Sequence, residues 1–313
     1  MQERTLGSSG LRVSAVGIGC NNFGGRIDTK QTGRVIDKAI ELGITLFDTA
    51  DIYSNRGGSE TAMGEVLGGG KRQKIVLATK FDMPMDEAGK LKGGSRRYIM
   101  GAVDGSLKRL RTDYIDLYQI HQMDPLTPLE ETLRTLDDLV RAGKVRYIGC
   151  SNHVAWRVAE AQETARRCNL NAFVSCQDEY SLLVRDIDRE LMPAMSHYKM
   201  GLLPFFLLAC GLLTGKYARN AMPQGARLTE MARYQDKYLN DRNWRLIDEL
   251  TAFAKARGHT LLELAFSWLL ARPNTSSVIA GATSPEQVEA NVKAASWMLT
   301  AEDMVEVDRI TAV

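Results

Sequence analysis

The sequence predicts an α/β protein: a TIM-type (β/α)8 barrel with an N-terminal hairpin and extra C-terminal helices. Short runs rich in β-branched and aromatic residues recur along the chain, bounded by Gly, Pro or charged residues, and read as buried strands. Helical patterns separate these runs, which implies βαβ units and a parallel sheet. Eight such cycles pass without a shift in composition, so residues 1–313 read as one domain. A doubly wound sheet is the alternative, but no GxGxxG follows the first strand.

The hairpin comes first: Arg4-Thr5-Leu6, a turn at Gly7-Ser8-Ser9-Gly10, then Leu11-Arg12-Val13. Val16-Gly17-Ile18-Gly19-Cys20 is the first barrel strand. A helix from Thr29 carries Val35, Ile36, Ala39, Ile40 and Leu42 at helical spacing, and Gly43 stops it. Ile44-Thr45-Leu46-Phe47 runs to Asp48 as the second strand, and Ser59 reads as the N-cap of a helix carrying Met63, Val66 and Leu67. The third strand runs to Lys80. A loop over 81–94 then leads to a helix from Ser95 with Ile99, Val103, Leu107 and Leu110. The fourth strand runs to His121, and 129–142 is helical. Residues 145–150 and 173–177 are the fifth and sixth strands, followed by helices over 156–168 and 188–197. Residues 201–205 are the seventh strand, and the polar segment 218–243 has the length of a lid or binding loop. Helices over 244–257 and 261–270, a strand over 277–280, and helices over 284–295 and 301–310 complete the chain.

Hydrophobic residues make up 44% of the chain, enough for a sizeable core, and a net charge of +2 is too small to point to nucleic acid. The basic run Lys71-Arg72-Gln73-Lys74 reads as a solvated loop. The N-terminus carries no secretory signal, and no run approaches the ~18 apolar residues of a membrane span. The five cysteines (Cys20, Cys150, Cys168, Cys176, Cys210) form no CxxC pair. They show no ligand spacing with His121, His153, His197 or His259, so no metal is expected. Free buried thiols fit a cytoplasmic location.

Parallel strands place all their C-terminal ends on one face, and in barrels that face carries the chemistry. Asp48, Tyr53, Lys80 and His121 therefore converge. A tyrosine, whose pKa is ~10, acts as a general acid when a nearby ammonium draws that value down. Lys80 supplies the ammonium, Asp48 holds it charged, and His121 offers a hydrogen bond to a carbonyl oxygen. This device protonates a carbonyl oxygen while something else attacks the carbon. No Ser or Cys looks like an activated nucleophile, and a hydride from a nicotinamide cofactor would complete the reaction. The expected partner is a small-molecule carbonyl substrate; the sequence sets no oligomeric state.

The chain closely resembles the aldo-keto reductase superfamily over nearly its whole length. The carrying motifs are 47–53 (Phe-Asp-Thr-Ala-Asp-Ile-Tyr), Ser59-Glu60, Thr79-Lys80, and 116–121 (Asp-Leu-Tyr-Gln-Ile-His). Further support comes from 149–152 (Gly-Cys-Ser-Asn), 177–183, 211–217 and 281–288. Within the superfamily it is most similar to the bacterial branch that also resembles potassium-channel β subunits. The resemblance implies that Tyr53 is the proton donor, Lys80 and Asp48 its tuning pair, and His121 the orienting donor. It places Ser151, Asn152 and Gln177 at the nicotinamide carboxamide and Phe205 on the nicotinamide ring. It places Leu208, Gly211, Leu213 and Thr214 around the pyrophosphate, with Lys216 as a nearby cation. Gly281, Thr283, Gln287 and Asn291 match the adenosine end. The implied cofactor is NADPH, with NADH possible.

Two departures from the family pattern stand out. Leu207 stands where the family commonly has Pro, so Leu207→Pro is expected to stabilise the fold if the backbone has Pro-compatible angles. Gly281, Thr283 and Gln287 stand where many members grip the 2′-phosphate with Lys or Arg, which weakens the expected discrimination between NADPH and NADH. Two other functions compete with carbonyl reduction. One is a cofactor-sensing interaction protein with slow turnover, like the channel subunits. The other is a barrel enzyme acting on phosphorylated metabolites, for which no Gly-rich phosphate loop follows the seventh strand.

Overall fold

The computed structural model describes residues 1–312 apart from 220 and 231. A hairpin of β1 (Glu3–Thr5) and β2 (Arg12–Ser14) precedes eight parallel strands. These are β3 (Val16–Gly19), β4 (Leu46–Asp48), β5 (Val76–Phe81), β6 (Ile115–Ile120), β7 (Val145–Ser151), β8 (Ser175–Gln177), β9 (Gly201–Leu202) and β10 (Val278–Gly281). Their order is β10-β3-β4-β5-β6-β7-β8-β9. Three backbone bonds close the ring between its ends: Leu202 N to Asn274 O at 2.6 Å, Ser276 N to Leu202 O at 2.9 Å, and Ile279 N to Pro204 O at 3.3 Å. The (β/α)8 barrel is therefore complete.

The outer helices are α1 (Thr29–Glu41), α2 (Tyr53–Val66), α3 (Arg96–Leu110), α4 (Leu129–Arg141), α5 (Ala155–Cys168) and α6 (Leu191–His197). Short α7 (Arg227–Glu230) and α8 (Gln235–Tyr238) break up the polar segment after β9. Then come α9 (Asp241–Ala256), α10 (Leu261–Ala271), α11 (Pro285–Ala294) and α12 (Ala301–Ile310). Side-chain caps start most of the long helices. Asp28 accepts from Gln31 N at 2.7 Å, and Thr260 with Glu263 forms a full capping box.

Alternation along the strands sorts residues into two cores. Phe47, Leu77, Tyr118 and Ile148 face outward to the helices, in the large cluster. Leu46, Ala78, Leu117, Leu203 and Ile279 form a separate inner cluster with Leu6 and Val13 of the hairpin, which plugs one end of the barrel. Two residues further along these strands, on the same inward face, stand Asp48, Lys80 and Gln119. The apolar plug is thus the floor beneath a polar layer.

Several boundaries differ from the sequence reading. Residues 201–205 give only a two-residue strand, because Pro204 cannot donate to a ladder. The sixth strand begins at Ser175 instead of 173, and α6 begins at Leu191 instead of 188. The helix expected from 244 already starts at Asp241, capped by Asn240. The segment 218–243 is partly helical, and two of its residues lie outside the described ones. Ser59 is not an N-cap: it lies inside α2, fully buried, with its hydroxyl on Cys20 O at 2.7 Å and Thr49 Oγ1 at 2.8 Å.

Candidate active site

At the end of β5, Lys80 Nζ lies 2.6 Å from Asp48 Oδ2, 2.9 Å from Thr49 O and 3.4 Å from Tyr53 OH. Three acceptors match the three N–H groups of an ammonium. The other carboxylate oxygen, Asp48 Oδ1, accepts from Gln119 Nε2 at 3.1 Å and Gln177 Nε2 at 3.0 Å. Lys80 is 0% exposed. A buried ion pair this well surrounded stands because both members are present, and deleting one member of such a pair typically costs ~3–5 kcal/mol. Burial draws the Lys80 ammonium down, but Asp48 and then Tyr53 act more strongly the other way, so the net shift is upward.

The Tyr53 phenol moves opposite to the sequence expectation. Burial raises it above its ordinary value, and the opposing pull of Lys80 does not overcome that. Tyr53 is therefore a neutral phenol with an ammonium at its oxygen. The His121 ring meets the Tyr53 ring edge-on, with centroids 5.7 Å apart. Burial, and then the Lys80 charge, hold the His121 imidazole down at about 3, so it is neutral. Its Nδ1 is buried without a partner among the described residues.

The backbone just past Tyr53 is strained. Ser54, Asn55 and Arg56 have φ of 53°, 60° and 60°, and Gly57 has 112°. Left-handed backbone costs an L-residue ~1–2 kcal/mol. Contacts between loops enforce the turn. Ser54 Oγ donates to Phe23 O at 2.6 Å, and a side chain at Gly24 would collide with the Gly58 carbonyl.

The residues singled out for a cofactor fall at the ends of the next strands. Ser151 closes β7 and Asn152 follows it. Asn152, at φ 54°, donates from Nδ2 to His121 O at 2.9 Å and Ser151 Oγ at 3.0 Å. Its Oδ1 acceptor is uncommitted among the described residues. Gln177 closes β8 and joins the Asp48 group. Phe205, half-buried, follows Pro204, and its ring stands edge-on to Phe206 at 5.2 Å. Phe206, Ala209, Cys210, Gly211 and Gly215 all have positive φ, so this loop bends tightly. Gly211 N and Leu213 N both donate to Leu208 O, at 2.8 and 3.1 Å, and Thr214 Oγ1 donates to Gly211 O at 2.7 Å. The Leu213 side chain is in the core, which leaves only its backbone for a ligand to meet. Lys216 Nζ lies 5.4 Å from the Tyr217 ring centroid.

Gly281, the last residue of β10, is exposed. Gln287 Oε1 accepts from Thr283 N at 2.9 Å and Thr283 Oγ1 at 3.2 Å, while buried Asn291 donates to Gly281 O at 3.5 Å. Gln31 Nε2 reaches Thr283 O at 3.2 Å. This donor set fits a nicotinamide dinucleotide: an open amide acceptor beside a hydroxyl, a half-buried ring, a tight loop, and the N-terminus of α11. Among the described residues no group of three or more His, Cys, Asp or Glu is arranged to hold a metal. None of the described helices is long and apolar enough to cross a membrane.

Three further residues had no assigned role in the sequence reading. Gln119 holds Asp48; the period of two from His121 places it on the inward face. Glu60 is buried, accepting from Thr79 Oγ1 at 2.6 Å and Arg109 Nε at 2.7 Å. Asp51 is 1% exposed, and its oxygens make no well-formed hydrogen bond among the described residues, only weaker interactions with the Ile52 N–H and the Tyr98 hydroxyl. Burial first, and then Glu60, push its carboxyl up to about 8.

The Aldo/keto reductase family profile matches residues 15–312. A probable voltage-gated potassium channel subunit beta of Oryza sativa subsp. japonica is 36% identical, over 100% of this chain and 96% of that protein. An uncharacterised oxidoreductase of Bacillus subtilis (strain 168) is also 36% identical, over 96% of this chain and 93% of its own. The L-glyceraldehyde 3-phosphate reductase of Escherichia coli (strain K12) is 33% identical, over 99% of this chain and 92% of its own.

Proposed function

The chain belongs to the aldo/keto reductase family, and on that premise we propose that it is an NADPH-dependent reductase of small aldehydes or ketones, with Tyr53 as proton donor. Membership supports an oxidoreductase that works with a nicotinamide cofactor. The observation that carries the finer reading is Lys80, charged and fully buried, hydrogen-bonded at once to Asp48 and Tyr53. We read residues 1–313 as one cytoplasmic enzyme domain.

Ser151 and Asn152 would hold the carboxamide and Phe205 the ring. Leu208, Gly211, Leu213, Thr214 and Lys216 would hold the pyrophosphate, and Gly281, Thr283, Gln287 and Asn291 the adenosine end. When bound, the nicotinamide supplies a hydride to the carbonyl carbon. Tyr53 gives its phenolic proton to the carbonyl oxygen. Lys80 stabilises the tyrosinate left behind until solvent reprotonates it, and Asp48 keeps Lys80 charged and in place. His121, neutral, orients the carbonyl oxygen through a hydrogen bond. The upward shift keeps Tyr53 a protonated phenol through neutral pH, and the Lys80 ammonium at its oxygen opposes that shift and favours release of the proton.

The test is a panel of aldehydes and ketones run separately with NADPH and NADH, following cofactor absorbance. Turnover faster with NADPH supports the reading. Tight cofactor binding without turnover on any carbonyl would replace it with a cofactor-sensing role.

A further inference from the structure

The strained turn after Tyr53 carries Arg56. Arg56 is exposed, and among the described residues its guanidinium has no ion pair and no hydrogen bond. Strain of this kind persists only where surrounding contacts over-determine it, and it clusters at ligand clamps. The mount here is fixed at three points: Arg56 N bonds Ile52 O at 3.2 Å, Ser54 Oγ bonds Phe23 O, and Gly24 abuts Gly58. The Arg56 charge reaches the loop between β5 and α3, where it acts on Asp86. The carboxylate there, Asp86, already accepts from Lys90 N at 2.8 Å and Leu91 N at 3.0 Å. Those backbone bonds, with Arg56 among the lesser causes, hold Asp86 below the usual carboxylate range. Arg56 is therefore carried by the loop of Tyr53 and lies within electrostatic reach of the loop that follows Lys80. Inside the site Lys80 is committed to Asp48, Thr49 and Tyr53, and His121 is neutral. A substrate anion finds no uncommitted positive charge among these groups.

We propose that Arg56 recognises a phosphate or carboxylate on the carbonyl substrate, so that small anionic aldehydes and ketones are preferred over neutral ones. This deepens the carbonyl-reductase reading and rests on it. A guanidinium fork meets either oxyanion with two parallel hydrogen bonds, which suits a planar cation on a rigid mount.

The test compares glyceraldehyde 3-phosphate, succinic semialdehyde and neutral glyceraldehyde in the native chain and in Arg56→Asn and Arg56→Lys. Asn tolerates left-handed backbone, so the turn survives the change. In Arg56→Asn the ratio of kcat/KM for anionic over neutral substrate should fall ~10- to 100-fold, mainly through KM, with Arg56→Lys intermediate. Separately, calorimetry should show glycerol 3-phosphate binding the NADP+-loaded native protein at least about tenfold more tightly than Arg56→Asn. A ratio that moves less than about twofold, or equal calorimetric affinities, overturns the role of Arg56. A native chain inert toward every carbonyl sinks the reductase reading, while calorimetry still decides whether Arg56 binds the anion. If only one of the two anionic substrates responds, that one identifies the charged group.

Discussion

Replacing Asp51 by Asn should stabilise the protein, and by more as the pH rises. Asp51 is buried behind β5, its backbone N–H on Lys80 O at 3.1 Å, and its carboxyl makes no well-formed hydrogen bond among the described residues, only weaker interactions with the Ile52 N–H and the Tyr98 hydroxyl. The groups that face it are Glu60 from α2, Arg109 and Tyr98 from α3, Tyr118 from β6, and Asp82 after β5. Burial first, and Glu60 next, raise it from 3.8 to about 8, against the pull of Arg109. A group raised on folding contributes most below its unfolded value and loses that contribution as pH climbs toward its folded value. Folding therefore incurs a growing penalty between about pH 4 and pH 8, then a constant one. At ~1.4 kcal/mol per pH unit the gap sets a ceiling of roughly 6 kcal/mol. Asn keeps the shape and has no charge to lose, while its unpartnered amide costs about as much as the neutral carboxyl did. Water entry around an ionised Asp51 lowers the ceiling, so the expected gain is about 2–4 kcal/mol near pH 8, about 1–1.5 kcal/mol at pH 5, and near zero only below about pH 4. Urea unfolding of both chains at steps between about pH 5 and pH 9 reads the difference directly, since other titrating groups cancel. A difference that stays flat with pH would refute the reasoning. So would one that grows in favour of Asp51, because the carboxylate would then be ionised and well partnered.

Three further outcomes follow from the site. Tyr53→Phe should lower carbonyl reduction by ~100- to 10,000-fold while cofactor affinity, read by fluorescence titration, stays nearly intact; near-native turnover would remove Tyr53 from the proton-donor role. Lys80→Met should abolish catalysis and move the titration of Tyr53 further up in an ultraviolet pH titration, because the one neighbour that pulls it down is gone. It should also destabilise the chain by ~3–5 kcal/mol, because Asp48 is left buried and unpaired by charge. Thr283→Arg should tighten NADPH more than NADH, since a guanidinium replaces neutral groups beside Gln287; equal gains for both cofactors would show that Thr283 does not face the 2′-phosphate.

The polar layer of the candidate site was legible because a parallel barrel does the converging. Asp48, Lys80 and His121 needed only to end strands, and strand ends are visible as punctuation. What escaped depends on contacts between segments. Ser59 has the sequence context of a helix cap, yet its hydroxyl is claimed by Cys20 O and Thr49 Oγ1 from the strand ends beside it. Lys80 was visible as a cation near Tyr53, but the sign of the tyrosine shift follows burial, which no local pattern reports. Leu207 shows the same limit and yields the last prediction. Its place in the chain suggested that Pro would fit and stabilise. The structure reverses this, because the preceding residue, Phe206, has φ 51°. A following proline pushes its predecessor to extended backbone, which Phe206 does not adopt. The Leu207 side chain is also only 3% exposed and belongs to the main core. Losing that packing and forcing Phe206 out of its conformation should destabilise Leu207→Pro by on the order of 2–4 kcal/mol. Because Phe205 and the loop through Thr214 flank the substitution, cofactor affinity should weaken with stability. Thermal unfolding with and without NADPH reads both effects, and a higher Tm in the variant would mean that the loop accepts proline after all.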